Sequence, residues 1–433
     1  MRRRNFISAC SASALLSAPA TPIISADTLQ AQITALSAFG RPNGGNFASG
    51  VSRVGYSDED IAGRNYAMSL MQKTGAKVRL DAAGNIFASR PGTDNSLPPL
   101  LFGSHIDSVP NGGNFDGDLG SLASIQVLQV LNDAQIQTRR PLTTVIWACE
   151  EASFSGAMLN GSRMAAGELV PKEFDQVSRG LIKTEAVRRI GGNPAQIETA
   201  FIKPKQYHAY LELHIEQGGT LARDRTPIGI VDGIVAVDSF EVTIIGLANH
   251  AGTTPMRERQ DALVAASMLI LAVRDSAIGE PGAQVGTVGH IDVTPNATNV
   301  VPGEVRMSLD LRDIDAGKLK RLGDKIRAQA KSIATNTGTE IQIKAIVHHE
   351  PALAAPDLQR AIQSAADKLR LDTKHLPSGA GHDAQVMASL MPMGMIFVPS
   401  IGGISHSPKE LTSWQDCANG ANILMESVLA LSR

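Results

Sequence analysis

Four short polar strings in this sequence carry residue types that bind divalent cations and move protons. The first, Gly103-Ser104-His105-Ile106-Asp107, runs on through Val109-Pro110-Asn111-Gly112-Gly113 to Phe115-Asp116-Gly117. His105 offers an imidazole nitrogen, Asp116 a carboxylate able to bridge two cations, and Asp107 an outer acceptor that would fix the His105 tautomer. The second is Glu150-Glu151, adjacent acids that repel each other unless a cation or a proton shares their charge. One of them can hold a metal while its neighbour takes a proton from water. Two further imidazoles come from His214, in His214-Ile215-Glu216-Gln217-Gly218, and His406, in Ser405-His406-Ser407-Pro408-Lys409-Glu410. Singly, each string reads as structure, since a lone histidine is more often a satisfied core residue and a glutamate pair a solvated face. Jointly, His, Asp, Glu, His and His form a nitrogen and oxygen donor set suited to two zinc ions, with cobalt or manganese as substitutes. Hydrolysis of an amide-type C–N bond is the chemistry such a set implies.

Each string lies at or just past the end of a predicted strand, where open α/β sheets place their ligands. Leu100-Leu101-Phe102 leads to His105, Thr144 to Cys149 leads to the glutamates, Tyr207 to Ile215 carries His214, and Met395-Ile396-Phe397-Val398 leads to His406. Leu122, Ile125, Leu128 and Leu131 recur near helical spacing and predict a core-facing helix after Gly120. A last helix is predicted from about Trp414 to Leu431. Over residues 27–227 short apolar runs alternate with amphipathic stretches, as in a sheet with helices on its faces. Between 228 and 347 the texture changes. Phe240-Glu241-Val242-Thr243-Ile244 and Val305-Arg306-Met307-Ser308-Leu309 alternate polar with apolar, with two long helical patterns between strands. That predicts an α+β unit on an antiparallel sheet, inserted into an α/β unit that resumes over 348–433.

Composition narrows the partners. Hydrophobic residues make up 43% of the 433, enough for two packed domains. Forty basic against forty-two acidic side chains, with no Lys/Arg stripe, argue against nucleic acid, whereas a small carboxylate-bearing substrate needs only one or two arginines. Arg2-Arg3-Arg4 precedes an apolar, Ala/Ser-rich stretch from Phe6 to Ala18 and small residues up to Ala26. Residues 1–26 therefore read as a twin-arginine export signal, which makes the protein periplasmic. No other stretch approaches the roughly 20 apolar residues of a spanning helix, so no stable membrane anchor is expected. Beyond the signal only Cys149 and Cys417 remain, which excludes a disulfide framework and leaves a single bridge open. Gly379-Ala380-Gly381-His382-Asp383-Ala384 has the letters of a dinucleotide fingerprint but lies far from the N-terminal βαβ context that gives the motif meaning.

The string His105 to Gly117, the Glu150-Glu151 pair, and His-Ile-Glu-Gln-Gly from His214 resemble motifs of the amidase/hydantoinase-carbamoylase family. So do His-Ala-Gly-Thr-Thr-Pro-Met from His250, Asn-Val-Val-Pro from Asn299 and Ser-Gly-Ala-Gly-His-Asp-Ala from Ser378. The likeness covers nearly all of the chain after the export segment. It implies a metallopeptidase-like α/β catalytic domain, a mixed sheet flanked by helices, with the inserted α+β unit as lid and dimerisation domain of a homodimer. It also implies a division of labour. His105, Asp116, Glu151, His214 and His406 would hold two metals with Asp116 bridging, and Glu150 would act as general base. His250 would reach the partner's active site and stabilise an oxyanion, while Gln217, Asn299 and Arg312 would hold the substrate amide and carboxylate. Arg312, within Asp310-Leu311-Arg312-Asp313, could instead form an ion pair along its strand. The implied substrates are N-carbamoyl amino acids or related ureido acids. One stretch departs from the family pattern: many relatives follow the glutamates with Gly and Arg-Phe, whereas Ala152-Ser153-Phe154-Ser155-Gly156 follows here and Gly161-Ser162-Arg163 comes later. That change and the export segment keep a periplasmic metallo-dipeptidase or acylamino-acid hydrolase as the alternative. A binding protein without catalysis is a third reading, opposed by the intact Glu150 and full ligand set.

Overall fold

The computed structural model describes residues 23–169 and 171–433. The export segment expected over 1–26 lies outside the described residues up to 22, and its last residues belong to the fold. Ile24 is buried, and the Asn422 side chain bonds both its N–H and its carbonyl at 2.9 Å. Ser25 then caps the helix Ala26–Leu36 by accepting the Thr28 N–H.

A nine-stranded mixed sheet forms the larger layer, and its four central strands do the positioning. In spatial order these are Leu142–Trp147, Leu100–His105, Tyr210–Ile215 and Met393–Val398, each parallel to the next. All four are buried along their whole length, as near-continuous apolar runs must be when helices cover both faces. Leu100, Phe102, Leu211, Leu213, Ile396 and Val398 point to one face, against the helices Asp118–Asp133, Pro356–Leu369 and Trp414–Leu431. Leu101, Val145, Trp147, Tyr210 and Phe397 point to the other, where Asn160–Ala166 and Asp383–Met387 pack. The helices expected after Gly120 and from Trp414 are both present. Cys149 and Cys417 are free and buried, which closes the option of a bridge between them. Among the described residues no helix is long and apolar enough to cross a membrane.

Arg53 ties the loop after Leu100–His105 to the rest of the layer. Its guanidinium, 1% exposed, bonds both carboxylate oxygens of Asp118, the first residue of the following helix. It also donates to the carbonyls of Ile106, Leu36 and Phe39. Breaking such a buried pair by removing one partner costs about 3–5 kcal/mol, because the other charge is stranded. The segment from His105 to Asp116 is thus anchored at both ends.

The smaller layer is a five-stranded antiparallel sheet. Its main path runs Val285–Thr287, Glu304–Asp313, Ala236–Ile245 and Glu340–His349, with Ile291–Thr294 also paired to Glu304–Asp313. Val305, Met307, Leu309 and Leu311 alternate inward with the helices Ala262–Ile278 and Ala316–Thr337. The sequence reading opened this unit at 228, and the structure moves that boundary. Ile228–Ile234 is a strand of the larger sheet, pairing with Met393–Val398 and Thr373–Ser378. Its Ile-Gly-Ile-Val run is buried without alternation, the pattern of a strand covered on both faces.

Candidate metal centre

Parallel strands in register bring the four strings together at their carboxyl ends. His105 ends its strand opposite Trp147, and His214 lies opposite Phe397 one residue before its own strand ends. The His105 and His214 rings stack at 5.9 Å between centroids. The glutamates follow Leu142–Trp147, and His406 sits on the loop after Met393–Val398.

Asp116 is the common member of two groups of ligand-type atoms, His105 with Asp116 and His214, and Asp116 with Glu151 and His406. Within each group the candidate atoms all lie within 4.8 Å of one another. Its Oδ1 faces His214 Nε2 at 3.2 Å and His105 Nε2 at 3.6 Å. Its Oδ2 faces His406 Nε2 at 3.5 Å, which in turn lies 3.3 Å from Glu151 Oε1. The two oxygens of one carboxylate therefore serve different groups. His105 Nδ1 faces the Asp107 carbonyl at 3.1 Å and His214 Nδ1 the Ile215 carbonyl at 3.0 Å, so with the protons held there both Nε2 atoms turn to Asp116, and that of His214 also takes the Gly117 N–H at 3.3 Å.

The electrostatics of the site are those of buried acids crowded against imidazoles. Burial, and then the neighbouring Glu151, push the Glu150 carboxyl well above the usual range. Burial also raises Glu151, and the His406 imidazole, 3.3 Å from its Oε1, pulls it part of the way back. Burial would raise Asp116 too, but His214, His105 and His406 hold it far below the carboxylate range. Burial lowers His105 to about 4. Burial opposes charge on His214 as well, yet Asp116 lifts it to about 9; a bond to Glu151 lifts His406 to about 9. Imidazolium protons thus balance the carboxylates. The donor set and its burial fit divalent metal ions in the same positions. Glu150 belongs to neither group, and its Oε2 stands 3.9 Å from His105 Nε2.

Three non-glycine residues at or beside the ligands adopt left-handed backbone: Cys149 at φ 52°, Gln217 at 59° and the ligand candidate His406 at 55°. Such conformations cost on the order of 1–3 kcal/mol each and persist where the surroundings enforce them. At Cys149 the consequence is direct. Successive strand residues face opposite ways, so a straight strand could not aim two adjacent glutamates at one site.

The structure refines the role expected for Asp107. Its main-chain carbonyl, and not its carboxylate, takes the contact with His105 Nδ1. The carboxylate instead accepts the N–H groups of Glu150 and Glu151, at 2.9 and 3.2 Å. Gln217, expected on substrate, donates from Nε2 to Asp116 Oδ2 at 2.7 Å and leaves its Oε1 unpartnered. Residues that sequence reasoning passed over complete the shell. Glu410, raised to about 7 by burial, accepts the N–H groups of Phe115 and Asp116, and Ser405 stands 2.8 Å from both Glu410 and Asp116. His382 packs edge-on against His214 at 4.5 Å and meets Ser378 Oγ at 2.9 Å.

His250, Asn299 and Arg312 are not brought to this cluster. Among the described residues no hydrogen bond, ion pair or ring contact joins them to it. His250 is exposed on the two-residue strand Asn249–His250, opposite Val300. Its Nδ1 accepts the N–H groups of Gly252 and Thr253, which leaves the Nε2 proton to be donated outward. Asn299 holds the Ala251 N–H through its carbonyl. Arg312 makes the ion pair along its strand, with Asp310 at 2.8 Å, and also donates to the carbonyl of Gly379, on the loop that leads to His382. Arg312, Asp310, Ser308, Thr287 and Gly379 line a cavity of about 440 Å³.

Comparison with known proteins identifies the family. Residues 101–430 match the model of peptidase family M20/M25/M40. The chain is 38% identical to an N-carbamoyl-L-amino acid amidohydrolase of Geobacillus stearothermophilus, over 89% of this chain and 94% of that protein. It is 34% identical to the allantoate amidohydrolase of Escherichia coli, over 88% and 93%. A crystal structure of an amidase of the hydantoinase/carbamoylase family from Burkholderia multivorans superposes with a TM-score of 0.88 at 32% identity, covering 96% of this chain and 99% of that one. The chain belongs to peptidase family M20/M25/M40, within its hydantoinase/carbamoylase amidases.

Proposed function

We propose that the protein is a binuclear, zinc-dependent amidohydrolase that cuts the C–N bond of N-carbamoyl amino acids or related ureido acids. The observation that carries this reading is the pair of ligand groups sharing Asp116, with Glu150 beside them and in neither. Divalent cations in those groups would supply Lewis acidity, polarising the scissile carbonyl and acidifying water. Glu150, held in a buried site where its carboxyl readily takes a proton, accepts one from the attacking water and returns it to the leaving nitrogen. Asp107 fixes both glutamates by their N–H groups. Arg312, which lines a cavity and takes the Asp310 carboxylate there, suits the carboxylate of a ureido acid when that exchanges with Asp310, and the relatives named for N-carbamoyl-L-amino acids and allantoate favour that class over dipeptides. The test is a panel of N-carbamoyl amino acids, allantoate and β-ureidopropionate with zinc-loaded protein, following ammonia and amine. Metal-dependent release from at least one is expected; no turnover of any would remove this substrate class.

The reading includes a homodimer, in which His250 donates its outward proton to the oxyanion in the partner's site. What supports it is an unpartnered apolar stripe on Ala262–Ile278, where Val264, Met268, Leu271 and Ile278 are 48%, 40%, 54% and 69% exposed. Sedimentation is expected to return the dimer mass, and Leu271→Asp to shift it to the monomer with turnover lost. An active monomer would exclude a role for His250 in trans.

A further inference from the structure

Beneath the glutamate pair lies a buried lysine that the proposed chemistry does not use. Lys183 opens the helix Lys183–Arg189, is 0% exposed, and donates from Nζ to Asn160 Oδ1 at 2.8 Å. Asn160 is equally buried, and its Nδ2 donates to the carbonyls of Cys149 at 3.1 Å and Ala157 at 2.8 Å. Three successive main-chain N–H groups, of Leu159, Asn160 and Gly161, donate to the carbonyls of Glu150, Cys149 and Ala148 in turn. The turn that carries the glutamates is therefore stapled to one short segment, and the Asn160 side chain holds its left-handed residue.

We propose that Lys183 is a positioning residue: by fixing which way the Asn160 amide faces, it holds Cys149 in its left-handed conformation and keeps Glu150 and Glu151 aimed at Asp116. The inference rests on reading those glutamates as the working pair. The two ends of a carboxamide have nearly the same shape but opposite hydrogen-bonding character, whereas an ammonium only donates. With Lys183 opposite, the amide oxygen must face Nζ, so its NH₂ must face the two carbonyls. Without the ammonium the amide oxygen is left buried without a donor, and the two carbonyls alone hold the amide in place. The charge also strengthens the bond it makes. Removing the ammonium alone leaves the buried Asn160 oxygen unpaired, a cost that the Lys183→Met/Asn160→Leu double variant relieves. Burial pulls the Lys183 ammonium down, and the Glu173 carboxylate pushes it back up.

The test compares Lys183→Met, Lys183→Gln, Asn160→Leu and the Lys183→Met/Asn160→Leu double variant with the parent. Lys183→Met is expected to fold and to lose about 10²-fold in kcat with KM within about threefold, the pattern of misplaced catalytic groups with intact binding. Asn160→Leu should match it, and the double variant should lose no more than the worse single one, since both act through one contact. Lys183→Gln, which restores a donor, should recover part of the rate. Hydrogen exchange on the metal-free chains supplies a readout independent of activity: exchange over residues 148–161 should quicken in Lys183→Met and Asn160→Leu while the central strands stay protected. Unchanged exchange there, or kcat within about twofold of the parent, would overturn the proposal. A parent that turned over nothing would sink the functional reading instead, and the exchange pattern would still decide for or against Lys183.

Discussion

Glu150→Gln is expected to cut kcat by about 10²–10⁴-fold, the usual contribution of a positioned general base, and to leave metal content as in the parent. The two outcomes follow from one arrangement. Glu150 lies beside the ligand groups without joining either, so its amide analogue removes a proton acceptor and no ligand. KM should hardly move, because the lost interaction belongs to the transition state. Stability supplies a further check with a definite sign. A carboxyl whose pKa is raised on folding is charged at a cost once the pH exceeds its unfolded value, and burial and Glu151 raise Glu150 in this way. Glutamine removes that cost, so the metal-free variant should melt no lower than the metal-free parent at pH 8. Turnover within tenfold of the parent would assign the base elsewhere. Loss of metal together with activity would make Glu150 a ligand and Glu151 the candidate base.

What could be read in advance was set by how each feature is encoded. Strand ends were legible because buried parallel strands are written as apolar runs, and the residues just beyond them are where the sheet opens. His105, the glutamates, His214 and His406 were found by that logic. Roles set by single atoms were not. Residue types cannot tell that Asp107 offers its carbonyl to His105 and its carboxylate to two N–H groups. Glu410 stood in the same string as His406, but only the folded loop shows it gripping the Phe115 and Asp116 N–H groups. The left-handed residues leave no mark, since Cys149, Gln217 and His406 are not glycines. Asn160 and Lys183 belong to no motif and meet only because the chain between them folds back on itself. The boundary at 228 failed for a related reason: a strand at the seam of two units can join either, and the lack of alternation in Ile228–Ile234 was the available clue.

Asp116→Asn is expected to abolish stable binding of both metal ions, whereas His105→Ala and His406→Ala should each abolish one. The expectation comes from the split of Asp116, with Oδ1 turned to His105 and His214 and Oδ2 turned to His406, beside Glu151. An amide at that position offers one oxygen in place of two and carries no charge, so neither group keeps its central ligand. Metal analysis after gel filtration separates the cases: about two equivalents per parent chain, about one for either histidine variant, and near none for Asp116→Asn. Activity should follow the metal and fall below detection. Proton release gives an independent measure on the parent. His214 and His406, each lifted to about 9, are largely protonated at pH 7 in the metal-free chain, and both must be neutral to ligate. Metal uptake at pH 7 should therefore release close to two protons from these rings, and affinity should weaken as the pH falls, because protons then compete for the same nitrogens. Calorimetry in buffers of different ionisation enthalpy reads that number directly. Two equivalents of metal retained by Asp116→Asn, or uptake without proton release, would show that the ions sit elsewhere.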